Sequence, residues 1–103
     1  NALRDYGLPA YSAAKAGLLG FVYGSTTELG KKGIRINAVL PGTTPTPRTL
    51  KEPKDFEQLK SGTALGRLTT PKEVANTIYA LTHLMTATTG QYVVADCGQL
   101  TKV

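Results

Sequence analysis

"GIRINAVLPG", residues 33–42, is the stretch on which the fold turns. Ile34, Ile36, Ala38 and Leu40 alternate with Arg35, Asn37 and Val39, the two-residue period of a β-strand, and Pro41 with Gly42 closes the run. Upstream, over residues 12–29, Ala14, Leu18, Phe21, Val22 and Leu29 recur at helical spacing, with Gly30 as the expected stop. Downstream, "TPKEVANTIYALTHLM" (residues 70–85) opens like a helix. Thr70 can cap, Pro71 takes the first turn and Glu73 completes a capping box. Val74, Ile78, Leu81 and Met85 then trace one stripe expected to be buried. "QYVVADCG" (residues 91–98) reads as a second, buried strand. Helix, strand, loop, helix, strand is an α/β order, and its strand–helix–strand part predicts a parallel sheet with a right-handed crossover.

Near-continuous apolar character around Val39 and Val93 asks for helices on both sheet faces and for more than two strands. The expectation is therefore that residues 1–103 form part of one larger domain and start in its middle. Between Pro41 and Phe56 there are four prolines and no apolar period, so a long, stiffened loop is expected, followed by a short amphipathic turn, "DFEQLKSG". Loops of this length are more often binding loops than plain connections.

Composition narrows the class. With 41% hydrophobic and 18% charged residues the chain reads as a folded, soluble protein. No stretch is long and apolar enough for a membrane span and no cationic leader is present, which makes a cytoplasmic location and no membrane partner the expectation. One cysteine, Cys97, and one histidine, His83, leave no disulfide and no metal-ligand set. The net charge of +5 has its densest run at Lys31, Lys32 and Arg35. These cations follow a helix end, where the dipole favours them. Without interleaved aromatic residues they read as a solvated helix end, not as a nucleic-acid surface.

Two patterns lie on the first helix. Ala13, Gly17, Gly20 and Gly24 form a stripe of small residues. Each glycine costs about 1 kcal/mol of helix stability relative to alanine, so another backbone is expected close by. Packing on the sheet and packing on a helix of a second subunit both fit. Tyr11 and Lys15, four residues apart, share a helix face. A tyrosine used as an acid/base near neutrality needs about 4 kcal/mol of phenolate stabilisation for three pH units, and a neighbouring ammonium supplies part of it while its other donors can hold a sugar hydroxyl. Taken alone, the pair reads first as two surface residues of a helix, since this spacing arises often from composition.

The surroundings weigh on that choice. "YSAAKAGLLGF", "GIRINAVLPGTTPT", "GRLTTPKEVA" and "GQYVVADCG", in this order and spacing, resemble the C-terminal half of the short-chain dehydrogenases/reductases, across nearly the whole chain. The resemblance implies a Rossmann-like doubly wound parallel sheet and an oxidoreductase that moves a hydride reversibly between NADP or NAD and a carbonyl or alcohol compound. It makes Tyr11 the catalytic acid/base and Lys15 the residue that activates it and binds the nicotinamide ribose. It places Pro41, Gly42, Thr44 and Thr46 against the cofactor, and it makes residues 43–63 the substrate-covering segment. Asn37 is implied to be structural, Cys97 to be a packing variant where the family has a glycine, and His83 to be a helix-surface residue. The small-residue helix is implied to pack on its copy in a homodimer or homotetramer.

The family's glycine-rich phosphate turn, "GxxxGxG", and its catalytic serine have no counterpart in these residues. Ser12 is no substitute, since its side chain leaves the helix about 100° away from Tyr11. An isolated chain of these 103 residues is expected to be inactive, because one missing oxyanion donor alone typically costs 100-fold to 1,000-fold. The substrate expected first is a 3-oxoacyl thioester. The alternative is a non-catalytic, truncated or degenerate subunit that acts in assembly.

Overall fold

A computed structural model describes residues 7–47 and 53–99. Its elements are α1 (Pro9–Lys31), β1 (Ala38–Pro41), α2 (Pro53–Ser61), α3 (Pro71–Tyr79), a π-helical turn (Ala80–Leu84) and β2 (Tyr92–Ala95). The two strands pair in parallel, Ala38 opposite Tyr92 and Pro41 opposite Ala95, as the strand–helix–strand order predicts. Among the described residues the apolar core is Leu19, Val22, Leu40, Leu68 and Leu81.

Helix α1 starts at Pro9, whose missing N–H would be unpaired in a first turn anyway. It runs past Gly30. Gly33, at φ +72°, is the residue that ends it: the Gly33 N–H donates to the Gly30 carbonyl and the Ile34 N–H to the Leu29 carbonyl, both at 3.0 Å. This paired reversal needs a left-handed residue, which glycine adopts without a Cβ clash.

The packed face of α1 differs from the one its larger apolar residues predict. Lys15, Leu19, Val22, Thr26 and Leu29, stepping by four and three, are half-buried or buried, whereas Leu18 and Phe21 are 56% and 65% exposed. Apolar residues lie nearly all round this helix, so periodicity alone does not select a face. Thr26 makes the contact that does. A Cβ on Gly90 would stand 2.8 Å from Thr26 Oγ1, so α1 rests directly on the turn leading into β2. At 100° per residue Tyr11, Lys15, Leu19, Val22 and Thr26 fall within roughly 80° of one another, and Ala13, Gly17, Gly20 and Gly24 lie on the opposite side. No described atom comes within 4 Å of a Cβ placed on Gly17, Gly20 or Gly24. The small-residue stripe therefore faces away from the sheet.

Strand β1 is shorter than the alternating pattern. Residues 34–37 bond to the turn before β2 through side chains: the Ile36 N–H donates to Thr89 Oγ1 (3.1 Å), Asn37 Nδ2 to the Thr88 carbonyl (2.9 Å), and the Gln91 N–H to Asn37 Oδ1 (3.1 Å). Asn37 thus holds two segments together, a structural role. Arg35 is no solvated cation. Its guanidinium donates to the carbonyls of Leu81 (2.8 Å), Thr82 (3.0 Å), Met85 (3.1 Å) and Thr88 (3.0 Å), at the end of the π turn.

The capping box at α3 is present in both directions: Thr70 Oγ1 accepts from the Glu73 N–H (3.1 Å) and Glu73 Oε2 from the Thr70 N–H (2.9 Å). Regular α geometry ends at Tyr79, however, not at Met85. The Met85 N–H reaches back five residues to the Ala80 carbonyl (2.8 Å). The wider turn shifts the phase of the stripe at Met85, which is 41% exposed; Ile78, on the regular helix before it, is 48% exposed, and of the stripe only Leu81 is buried. His83 lies on this turn, exposed, its ring stacked on Tyr79 at 4.4 Å. Part of the long loop is helical, because α2 already begins at Pro53.

Candidate active site

Lys15 Nζ lies 5.6 Å from the centroid of the Tyr11 ring, so phenol and ammonium form one local pair on α1. Tyr11 is 45% exposed and Lys15 half-buried at the upper end of the packed face. The chain reverses within a few residues of Lys31, at Gly33. Thr26 marks the level at which α1 meets the start of β2. From there Lys15 is about 16 Å and Tyr11 about 22 Å along the helix at 1.5 Å per residue, against about 17 Å for the strand from Gly90 to Ala95. Open α/β sheets bind their ligands at the carboxyl ends of their strands.

The loop after β1 leaves from the same end. The Gly42 N–H continues the ladder to the Ala95 carbonyl (3.0 Å). A Cβ on Gly42 would fall 2.7 Å from both Cα and Cβ of Asp96, so only glycine lets the two strand ends approach this closely. Thr44 Oγ1 donates to the Gly42 carbonyl (3.1 Å), curling the loop on itself, and Thr46 is exposed beyond it. The structure thus brings Pro41, Gly42, Thr44 and Thr46 into one loop and Tyr11 with Lys15 onto one helix face. Of the expected substrate-covering segment, residues 43–47 and 53–63 are described, the latter mostly as α2, and residues 48–52 lie outside the described residues.

At the carboxyl end of β2 the chain makes a tight turn. The Gly98 N–H donates to Asp96 Oδ1 (2.9 Å) and the Gln99 N–H to the Asp96 carbonyl (3.1 Å). Cys97 and Gly98 have φ of +54° and +79°. Beside this turn is an open groove of about 400 Å³ whose lining includes Thr69, Asn76, Thr77, Cys97 and Gly98. Thr69, almost fully buried, donates to the Ala95 carbonyl at 3.2 Å and meets Cys97 Sγ at 3.7 Å. Arg67 and Glu73 close one side through a two-pronged ion pair, NH1–Oε2 3.0 Å and NH2–Oε1 2.9 Å. The Arg67 guanidinium, followed by the Thr70 N–H, holds the Glu73 carboxyl at about 2, well below its ordinary range.

A nicotinamide cofactor fits the chemistry of these groups. Lys15 carries three donors, enough for a ribose diol, and Thr44 and Thr46 add hydroxyls that both donate and accept. Among the described residues no group of three or more His, Cys, Asp or Glu is arranged to hold a metal ion, and no helix is long and apolar enough to cross a membrane. Sequence reasoning missed Gln99, which is 8% exposed and bonded to Thr43. Its signal was a buried amide three residues past Asp96 at the end of an apolar strand.

A sequence profile of the family described as enoyl-(acyl carrier protein) reductase matches residues 1–99. The chain belongs to the short-chain dehydrogenase/reductase family, and its fold is that family's Rossmann-type parallel α/β sheet. It is 40% identical over 75 residues to human (3R)-3-hydroxyacyl-CoA dehydrogenase, covering 72% of this chain and 29% of that one. It is 38% identical over 91 residues to the 3-oxoacyl-acyl-carrier-protein reductase of Chlamydia muridarum, covering 85% and 36%. The crystal structure of a short-chain dehydrogenase/reductase family oxidoreductase from Burkholderia thailandensis superposes with a TM-score of 0.81 at 41% identity, over 90% of this chain and 39% of that one. A 4-hydroxyisoleucine dehydrogenase complexed with NADH superposes with a TM-score of 0.78 at 27% identity, over 90% and 40%. The chain therefore spans about a third of the length of the curated relatives named here.

Proposed function

We propose that residues 1–103 are the C-terminal part of a single Rossmann-like domain in an oxidoreductase that interconverts a carbonyl compound and its alcohol with NADP or NAD. The observation that carries this reading is the Tyr11–Lys15 pair on α1, ammonium 5.6 Å from the phenol ring. When bound, the nicotinamide cofactor supplies or accepts the hydride. In reduction Tyr11 donates its phenolic proton to the carbonyl oxygen, and in oxidation it takes the alcohol proton. Lys15 favours the phenolate electrostatically and binds the ribose hydroxyls, which ties cofactor placement to acid/base readiness. Pro41 and Gly42 form the backbone wall of the nicotinamide site, and Thr44 and Thr46 bond its polar groups. The substrate class is a 3-oxoacyl or 3-hydroxyacyl thioester, supported by the names of the two curated relatives. The outward small-residue face of α1 serves contact with a second copy.

The test is turnover of NADPH or NADH by the enzyme encoded in full, with 3-oxoacyl thioesters as substrates. Tyr11→Phe is expected to lower kcat at least about 100-fold, the usual weight of a positioned acid/base, with cofactor affinity nearly unchanged. Lys15→Met is expected to lower kcat and weaken cofactor binding together. Full turnover by Tyr11→Phe removes this mechanism.

A further inference from the structure

We propose that Gln99 is a positioning residue, which sets the cofactor loop by clamping Thr43. The idea rests on the functional reading of that loop given above. The turn Asp96–Cys97–Gly98–Gln99 has positive φ at both central residues, the geometry of a tight reversal, and it turns the chain back toward the end of β1. Its outer side is held in place: the Leu65 N–H donates to the Cys97 carbonyl (3.0 Å), and Gly98 backs onto Ala64 so closely that a Cβ there would collide with the Ala64 methyl. From this fixed turn the Gln99 side chain, only 8% exposed, crosses to the first residue after the Gly42 approach.

The bonds at that crossing fix direction as well as distance. Gln99 Oε1 accepts from the Thr43 N–H at 3.1 Å and stands 3.4 Å from Thr43 Oγ1, while Gln99 Nε2 donates to Thr43 Oγ1 at 3.1 Å. The backbone N–H can only donate, so the amide has one orientation that satisfies both ends. Holding the Thr43 N–H fixes the peptide plane from which Thr44 departs. Beyond it, Pro45 and Pro47 have locked φ values and bias Thr44 and Thr46 to extended backbone. The loop is thus stiff along its length and registered at one end, and Gln99 is what registers it. Among the described residues no other side chain bonds to the Thr43 N–H, so losing the carboxamide moves Thr44 and Thr46 together.

Cofactor dissociation constants, measured by NADH and NADPH fluorescence on the enzyme encoded in full, test this against a merely structural role read from Tm. Gln99→Met, close in shape but without the amide, is expected to raise the cofactor Kd about tenfold, the weight of one or two buried hydrogen bonds. Thr43→Val keeps the N–H that Gln99 Oε1 holds and should change the Kd less, and the double variant should match Gln99→Met. Gln99→Glu keeps the acceptor for the Thr43 N–H and should restore most of the affinity. A lower Tm with unchanged Kd in Gln99→Met overturns the proposal and leaves the functional reading intact. Wild-type enzyme that binds neither NADH nor NADPH overturns both.

Discussion

Cys97 holds a conformation that L-residues other than glycine adopt at a cost. Its φ of +54° puts Cβ against its own backbone, a strain of roughly 1 kcal/mol or more. The thiol recovers little of that, since its hydrogen-bond partner among the described residues is the Thr69 hydroxyl at 3.7 Å. Cys97→Gly is therefore expected to stabilise the fold by about 0.5–1 kcal/mol, less than the full strain because glycine also loses more chain entropy on folding. Chemical or thermal melting of the variant checks this, and a lower Tm contradicts it. In the sequence Cys97 stood out as a departure from a family glycine, and the turn supplies the physical reason why glycine belongs there. Gly42 was legible as a strand end, but its collision with Asp96 was not, because the two positions lie more than fifty residues apart in sequence.

At the scale of elements, the ends of helices decide what the periodicities leave open. Thr70, Pro71 and Glu73 are adjacent in sequence, and the start of α3 could be read from them directly. Its end could not. The π turn satisfies its carbonyls through Arg35, 46 residues before Leu81, and only the fold brings that guanidinium there. Arg35→Met keeps the aliphatic stem and takes the guanidinium from four carbonyls, of which Thr88 keeps Asn37 Nδ2 and Met85 keeps the Thr88 N–H, so a loss of about 1–2 kcal/mol in unfolding free energy is expected. Urea denaturation measures it. A change below about 0.5 kcal/mol contradicts the capping role. The same logic explains α1, whose stop required the left-handed Gly33 in place of the nearer Gly30. Tyr11 and Lys15 were legible as a pair from their spacing, whereas the packing of their helix on the turn before β2 rests on the Thr26–Gly90 contact, which no local pattern records.

For the molecule as a whole, α1 is a wall with two working sides. One side rests on the sheet and carries Tyr11 and Lys15, and the other presents Gly17, Gly20 and Gly24 to open space among the described residues. Sequence reasoning found the glycine stripe but left open what it packs on. The structure removes the sheet of this chain as the answer. If a second copy covers that side, Gly20→Leu leaves the helix intact and reduces the enzyme to a smaller species in size-exclusion chromatography. An unchanged elution volume removes the second-copy reading. The α/β order and the parallel pairing were fully readable, because hydrophobic period and strand–helix–strand succession are local signals.

The connection between α1 and β1 also bears on how such a chain can change over generations. Residues 32–37 are engaged from Gly33 through Asn37, each bonded to the helix end, the π turn or the turn before β2. An added residue there would break these bonds and uncouple the end of α1 from the turn before β2. Variation in this connection is therefore confined to substitutions that keep its length.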